Sequence, residues 1–88
     1  MPNCIAQPHL FVINGQMYMK TRYTVERVLK DVKPKTLRKY YVVVNHRRYP
    51  PKQVISALTE LGLSEFALGQ CIAPLRRLGF KLRYLGRP

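Results

Sequence analysis

The chain has 88 residues, 47% of them hydrophobic, and a formal net charge of +12. That describes one small domain with the apolar content for a modest core, which excludes a disordered basic tail. Sixteen Lys and Arg residues face only four acids; such an excess repels itself and is kept for a polyanionic partner, most readily a nucleic acid.

His9 to Ile13 is an apolar run, Asn14-Gly15 follows, and Gln16 to Met19 returns. Asn-Gly between two such runs predicts a hairpin, because both turn residues tolerate positive φ. Thr21 or Thr24 can cap the next helix. Val25, Val28, Leu29 and Val32 fall at i, i+3, i+4 and i+7 and form its apolar stripe, with Arg22, Glu26, Arg27 and Lys30 away from it. Pro34 is expected to end this helix.

Residues 33–39 read as a basic connector. Tyr40 to Val44 is a β-branched and aromatic run, expected as a largely buried strand. Asn45-His46 turns it back into a short strand, Arg47 to Tyr49. Pro50 and Pro51 cannot continue a central strand, but either can open a helix. Val54, Leu58 and Leu61 line that helix, which is expected to stop at Gly62. Ser64 with Glu65 opens a further helical segment that Gly69 and Pro74 split or kink. Leu75, Leu78 and Phe80 are core, and Phe80 to Tyr84 reads as a last strand with Lys81 and Arg83 facing out.

The expected fold class is therefore α+β: one small domain over residues 1–88, with an N-terminal hairpin, a helix, a second hairpin, two to three helices and a short C-terminal strand. Residues 1–8 and 85–88 are expected to be flexible. Val12-Ile13-Asn14 with Tyr18 matches Val43-Val44-Asn45 with Tyr49 at equal spacing. This echo either records two strand–turn–strand–helix units or reflects the ordinary grammar of hairpins.

No segment is apolar for long enough to span a bilayer, and the N-terminus has neither the charged nor the hydrophobic region of a secretion signal. Cys4 and Cys71 fit no metal spacing and read as reduced thiols in an intracellular protein. His9 and His46 have no carboxylate or cysteine at ligand distance in sequence. Metal-dependent nucleases need convergent carboxylates, and this chain scarcely has them, so the expectation is a protein that is not an enzyme and takes no metal or cofactor. A helix–turn–helix across Val54–Leu61, Gly62 and Ser64 is conceivable, but Ser64-Glu65-Phe66 is poor in base-reading donors.

Eleven of the sixteen cations lie between Lys20 and Lys52, among only two acids, Glu26 and Asp31. Within that field sits Tyr49-Pro50-Pro51-Lys52, a rigid apolar corner. Cations supply affinity for phosphates, while an apolar surface can prefer a methyl group or a sulfur, at on the order of 1 kcal/mol per buried methyl. Lys20, Arg22, Lys35, Lys39, His46, Arg47, Arg48 and Lys52 are the candidate DNA contacts. Tyr49 itself reads equally well as a core residue.

Lys20-Thr21-Arg22 opening the Val25-Val28-Leu29 helix, the strand Tyr40–Val44, Arg48-Tyr49-Pro50-Pro51-Lys52, then Phe66 and Leu75-Arg76-Arg77-Leu78-Gly79-Phe80 occur in this order. Over about residues 20–84 this resembles the modified-DNA reader domains of type IV restriction systems. It is similar to the sulfur-binding domain that reads phosphorothioate DNA, and to small stand-alone 5-methylcytosine-binding proteins. The resemblance implies a modification pocket built from Arg22, Tyr49, Pro50 and Gln53. Gln53 departs from the small residue of the sulfur readers, and an amide there suits an adenine edge or a phosphate.

The expected function is a double-stranded DNA-binding protein that reads 5-methylcytosine or phosphorothioate. It would act in a prokaryotic cytosol or nucleoid, with no membrane association. A homodimer and a separate nuclease partner are left open. The rival functions are a nucleoid or ribosome-associated nucleic-acid protein without modification preference, and a protein-interaction or regulatory module.

Overall fold

The computed structural model describes residues 8–85. The expectations for residues 1–7, with Cys4, and for 86–88 lie outside the described residues. Strand β1 (His9–Ile13) pairs antiparallel with β2 (Gln16–Lys20) through Asn14 and Gly15, which have φ of 53° and 78°. Helix α1 (Arg22–Val28) follows at once, with the Thr21 hydroxyl accepting the Thr24 N–H at 3.0 Å. Of the two candidate caps, Thr21 fills the position.

After the connector, β3 (Tyr40–Val44) pairs antiparallel with β4 (Arg47–Tyr49) through Asn45 and His46, both at positive φ. Helix α2 (Pro51–Thr59) starts with Pro51 in its first turn, where a missing N–H costs nothing. A 3₁₀ turn (Leu63–Glu65) leads to α3 (Gly69–Arg77), and β5 (Arg83–Tyr84) pairs with Tyr40 and Tyr41 to close a sheet of order β4-β3-β5. The α+β class and order of elements match the sequence.

The strand–turn–strand–helix unit occurs twice, as β1-β2-α1 and β3-β4-α2. Phe11 faces Tyr18 in the first hairpin as Val42 faces Tyr49 in the second. The inner faces of both units meet α3 in one core that includes Ile13, Val25, Leu29, Val44, Ile55 and Leu75.

Four boundaries differ from expectation, and local contacts set the first two. Helix α1 stops at Val28 rather than running to Pro34. Residues 29–31 form tight turns, and the Tyr49 hydroxyl takes the Leu29 carbonyl that a longer helix would use internally. Helix α2 ends at Thr59, not at Gly62. Glu60 adopts φ 64°, Thr59 Oγ1 donates back to the Ile55 carbonyl, and Ser56 Oγ donates to the Leu61 carbonyl at 2.6 Å. Hydroxyls that bond the backbone this way compete with helix continuation.

The last strand covers only Arg83–Tyr84, and β3 is half-buried at Tyr40 and Tyr41. Pro74 lies inside α3 rather than splitting it, and the break falls earlier, between the 3₁₀ turn and Gly69. Gly79, at φ 94°, turns the chain out of α3 so that the Phe80 N–H reaches the Leu75 carbonyl at 2.9 Å, a Schellman closure.

Candidate nucleic-acid interface

The connector between α1 and β3 has no regular structure, yet it is held in place. Gln53, on the first turn of α2, accepts the Lys35 N–H at 2.8 Å and donates to the Lys33 carbonyl at 2.9 Å. This clamp stands the connector off from the start of α2 and leaves a cleft of about 850 Å³ between them. Its apolar lining comes from Pro34, Pro50, Pro51, Leu63 and Leu68, with Tyr40 at the β3 end. Four cations complete the walls: Lys35, Arg38, Lys39 and Lys52.

No acid lines the cleft. Among the described residues the one ion pair is Arg22 with Glu26, at 3.5 Å on α1, and the Glu65 carboxylate caps the Gly62 N–H. The positive charge of the cleft is thus not neutralised from within. Lys52 Nζ also sits 5.5 Å from the centre of the Phe66 ring, so its charge rests over an aromatic face at the root of α2. Beneath it, burial pushes the Cys71 thiol up to about 12, opposed by the charge of Lys52.

The structure brings five of the expected site residues together here: Lys35, Lys39, Pro50, Lys52 and Gln53. It corrects two others. Tyr49 is fully buried, with its hydroxyl donating to the Leu29 and Val32 carbonyls at 3.1 and 2.6 Å. It belongs to the core, because β4 alternates and turns Tyr49 inward between exposed Arg48 and the Pro50 corner. Arg22 reaches away from the cleft: Nη1 donates to the Gly79 carbonyl at 3.1 Å and the guanidinium lies 4.7 Å over Phe80. It locks the start of α1 to the end of α3. Gln53 lines the cleft but is buried, and its amide is engaged with the connector rather than open to a ligand.

A family profile for SCO5918-like proteins matches residues 11–87. This chain belongs to the SCO5918-like family. The span takes in the second half of β1, everything after it through β5, and every residue of the cleft. Neither the curated proteins nor the solved structures contain a significant match.

In this SCO5918-like domain the remaining expected contacts fall outside the cleft lining. His46 and Arg48 are exposed on the β3–β4 hairpin, with Arg48 4.9 Å over the Tyr41 ring. Arg47 Nη1 donates to the Val32 carbonyl at 3.3 Å, just ahead of the connector. Lys20 ends β2, half-buried. Sequence reasoning missed Arg38, Tyr40, Leu63 and Leu68 as cleft residues. Arg38 stood in the basic run and was there to be found. Leu63 and Leu68 lie in a segment whose course depends on where α2 ends, and no local signal placed them opposite the connector.

Proposed function

We propose that this domain binds duplex DNA in the cleft between the connector and α2. Backbone phosphates lie against Lys35, Arg38, Lys39 and Lys52. The β3–β4 hairpin, through His46, Arg47 and Arg48, takes a neighbouring stretch of backbone, and Lys20 gives a peripheral contact. The observation that carries this reading is the set of four cations around an apolar floor with no acid among them. Unneutralised cations favour a polyanion through counterion release, and they draw it in at a distance as well as at contact.

The apolar floor supports the finer reading, in which a methyl group or a sulfur on the DNA rests against Pro50 and Pro51. Both rings are rigid and present their faces at little entropic cost. A second reading is plain backbone binding without modification preference. It is favoured by the burial of Tyr49, the engaged amide of Gln53 and the diversion of Arg22 to Gly79. With these three withdrawn, any preference rests on the proline wall alone, and on the order of 1 kcal/mol is available to it. The protein would act alone as a reader or recruit a separate nuclease, in a prokaryotic cytosol or nucleoid; among the described residues no helix is long and apolar enough to cross a membrane.

One binding panel tests both levels. Plain, 5-methylcytosine and phosphorothioate duplexes of a single sequence are titrated at fixed salt, with duplex RNA alongside. Tight binding to all DNA duplexes, with up to about tenfold preference for one modified form, supports the reader. Equal binding leaves plain DNA binding, and no binding to any duplex ends the proposal.

A further inference from the structure

The outer face of the β4-β3-β5 sheet is a surface that the cleft does not use. Strand β3 alternates: Val42 and Val44 are buried in the core, which turns Tyr41 and Val43 to the opposite side. Arg48 of β4 is the cross-strand partner of Val43, and Arg83 of β5 is that of Tyr41. Cross-strand partners share a face, so these four side chains stand together. Val43 is 44% exposed, and Arg48 and Arg83 are exposed. The Arg48 guanidinium lies 4.9 Å from the centre of the Tyr41 ring. Strand β5 continues past Tyr40, where the Leu85 N–H donates to the Lys39 carbonyl at 2.6 Å, so the chain leaves the sheet at its connector end and not across Tyr41.

The chemistry of this face selects among partners. All four acids lie in or just after the helical segments, and none lies on the three strands. The arginines are therefore free to hold an anion, and Tyr41 adds a flat ring between them. An acidic protein would use the arginines and leave the ring without a stacking partner. A duplex keeps its bases stacked on one another, so it too leaves the ring unused. An unpaired strand engages both, because its bases are free to stack on an aromatic side chain or a guanidinium plane while cations track its phosphates.

We propose that the outer face of the β4-β3-β5 sheet binds a single strand of DNA, with one base stacked on Tyr41 beside the Arg48 guanidinium and a flanking phosphate on Arg83. Val43, next to this base, offers an apolar surface to the C5-methyl group of thymine, which uracil lacks. The face has no carbonyl or carboxylate side chain to accept from a 2′-hydroxyl, the group by which a site tells RNA from DNA. Both features favour a thymine-bearing DNA strand. The proposal does not rest on the cleft. Arg48 borders both this face and the hairpin turn, so Tyr41, Val43 and Arg83 are the residues that tell the two surfaces apart.

Anisotropy titration tests this with a labelled oligothymidine strand, an oligouridine RNA and a blunt DNA duplex. The proteins are the wild type, Tyr41→Leu, Tyr41→Phe and Arg83→Ala, each checked for folding by its thermal transition. The wild type is expected to bind oligothymidine more tightly than oligouridine. Tyr41→Leu, which keeps an apolar side chain but removes the ring, should weaken strand binding about fivefold or more, while Tyr41→Phe keeps it. Arg83→Ala should weaken strand binding and flatten its salt dependence. Duplex affinity should stay the same in all three variants. A wild type that binds no single strand, equal losses in Tyr41→Leu and Tyr41→Phe, or losses on the strand matched by losses on the duplex would overturn the proposal. Tighter binding of oligouridine would overturn it in favour of RNA. Strand binding without duplex binding would remove the cleft reading and leave this one standing, and duplex binding alone would do the reverse.

Discussion

Gln53 Oε1 accepts the Lys35 N–H at 2.8 Å, and through this bond the first turn of α2 fixes the position of the cleft's opposite wall. With Nε2 donating to the Lys33 carbonyl, one buried amide satisfies two backbone groups in a segment without secondary structure. Gln53→Ala leaves both groups without their partner, at a cost of about 1–3 kcal/mol. We expect a lower melting temperature and a loss of DNA affinity through displacement of Lys35. Gln53→Glu keeps the acceptor for Lys35 but sets a carboxylate against the Lys33 carbonyl, and is expected to be no better than Ala. Thermal melting and duplex titration on the same samples check both.

Tyr49→Phe removes a hydroxyl that bonds Leu29 and Val32 and preserves the ring in the core. The expected cost is about 1–3 kcal/mol, with a melting temperature lower by about 4–8 °C per kcal/mol for a domain of this size. Binding to plain and modified duplexes should shift together. A selective loss on modified duplex with unchanged melting would return Tyr49 to the pocket.

His46 holds φ 67° in the second hairpin turn, where the first hairpin has Gly15. A left-handed backbone costs a residue with a Cβ about 1–2 kcal/mol, partly offset by the greater chain entropy that glycine loses on folding. His46→Gly should therefore stabilise the domain by roughly 0.5–1 kcal/mol, read by denaturant unfolding. If His46 contacts a phosphate, the same variant binds duplex slightly less well while melting higher.

Burial raises the Cys71 thiol from its ordinary 9.0 to about 12, against the opposing charge of Lys52. The folded state thus favours the protonated thiol more than the unfolded chain does. This contribution to stability is fully present below pH 9 and is lost as pH rises from 9 toward 12. The stability gap between a Cys4→Ser background and the same background with Cys71→Ala should shrink across that window. In the first of these proteins the remaining thiol should react with a disulfide reagent at pH 8 only upon unfolding.

Much of the scaffold was legible because its signals are local. Asn14-Gly15, the Val25–Val28–Leu29 spacing, the Tyr40–Val44 run and Pro51 each specify their element through neighbours in sequence. The helix ends were less legible, because they are set by contacts such as Tyr49 to Leu29 and by hydroxyl bonds at Ser56 and Thr59. The site was half legible for the same reason. Clustered charge pointed to Lys35, Lys39 and Lys52, and proline rigidity to Pro50. The burial of Tyr49 and the reach of Arg22 to Gly79 depend on how β4 alternates and on where α3 ends, which no motif encodes. The resemblance to modified-DNA readers placed Arg22, Tyr49, Pro50 and Gln53 around one pocket; the fold keeps only Pro50 and Gln53 beside the cleft.

The central claim is that the four cleft cations hold the backbone of duplex DNA. It is tested most directly by fluorescence anisotropy titration of a labelled duplex at several salt concentrations, on the wild type and on Arg38→Ala/Lys39→Ala. If each cleft cation neutralises one phosphate, the slope of log K against log salt is shallower by about 2 in the double variant than in the wild type. Equal slopes for the two proteins, or a wild-type slope near zero, would contradict the account.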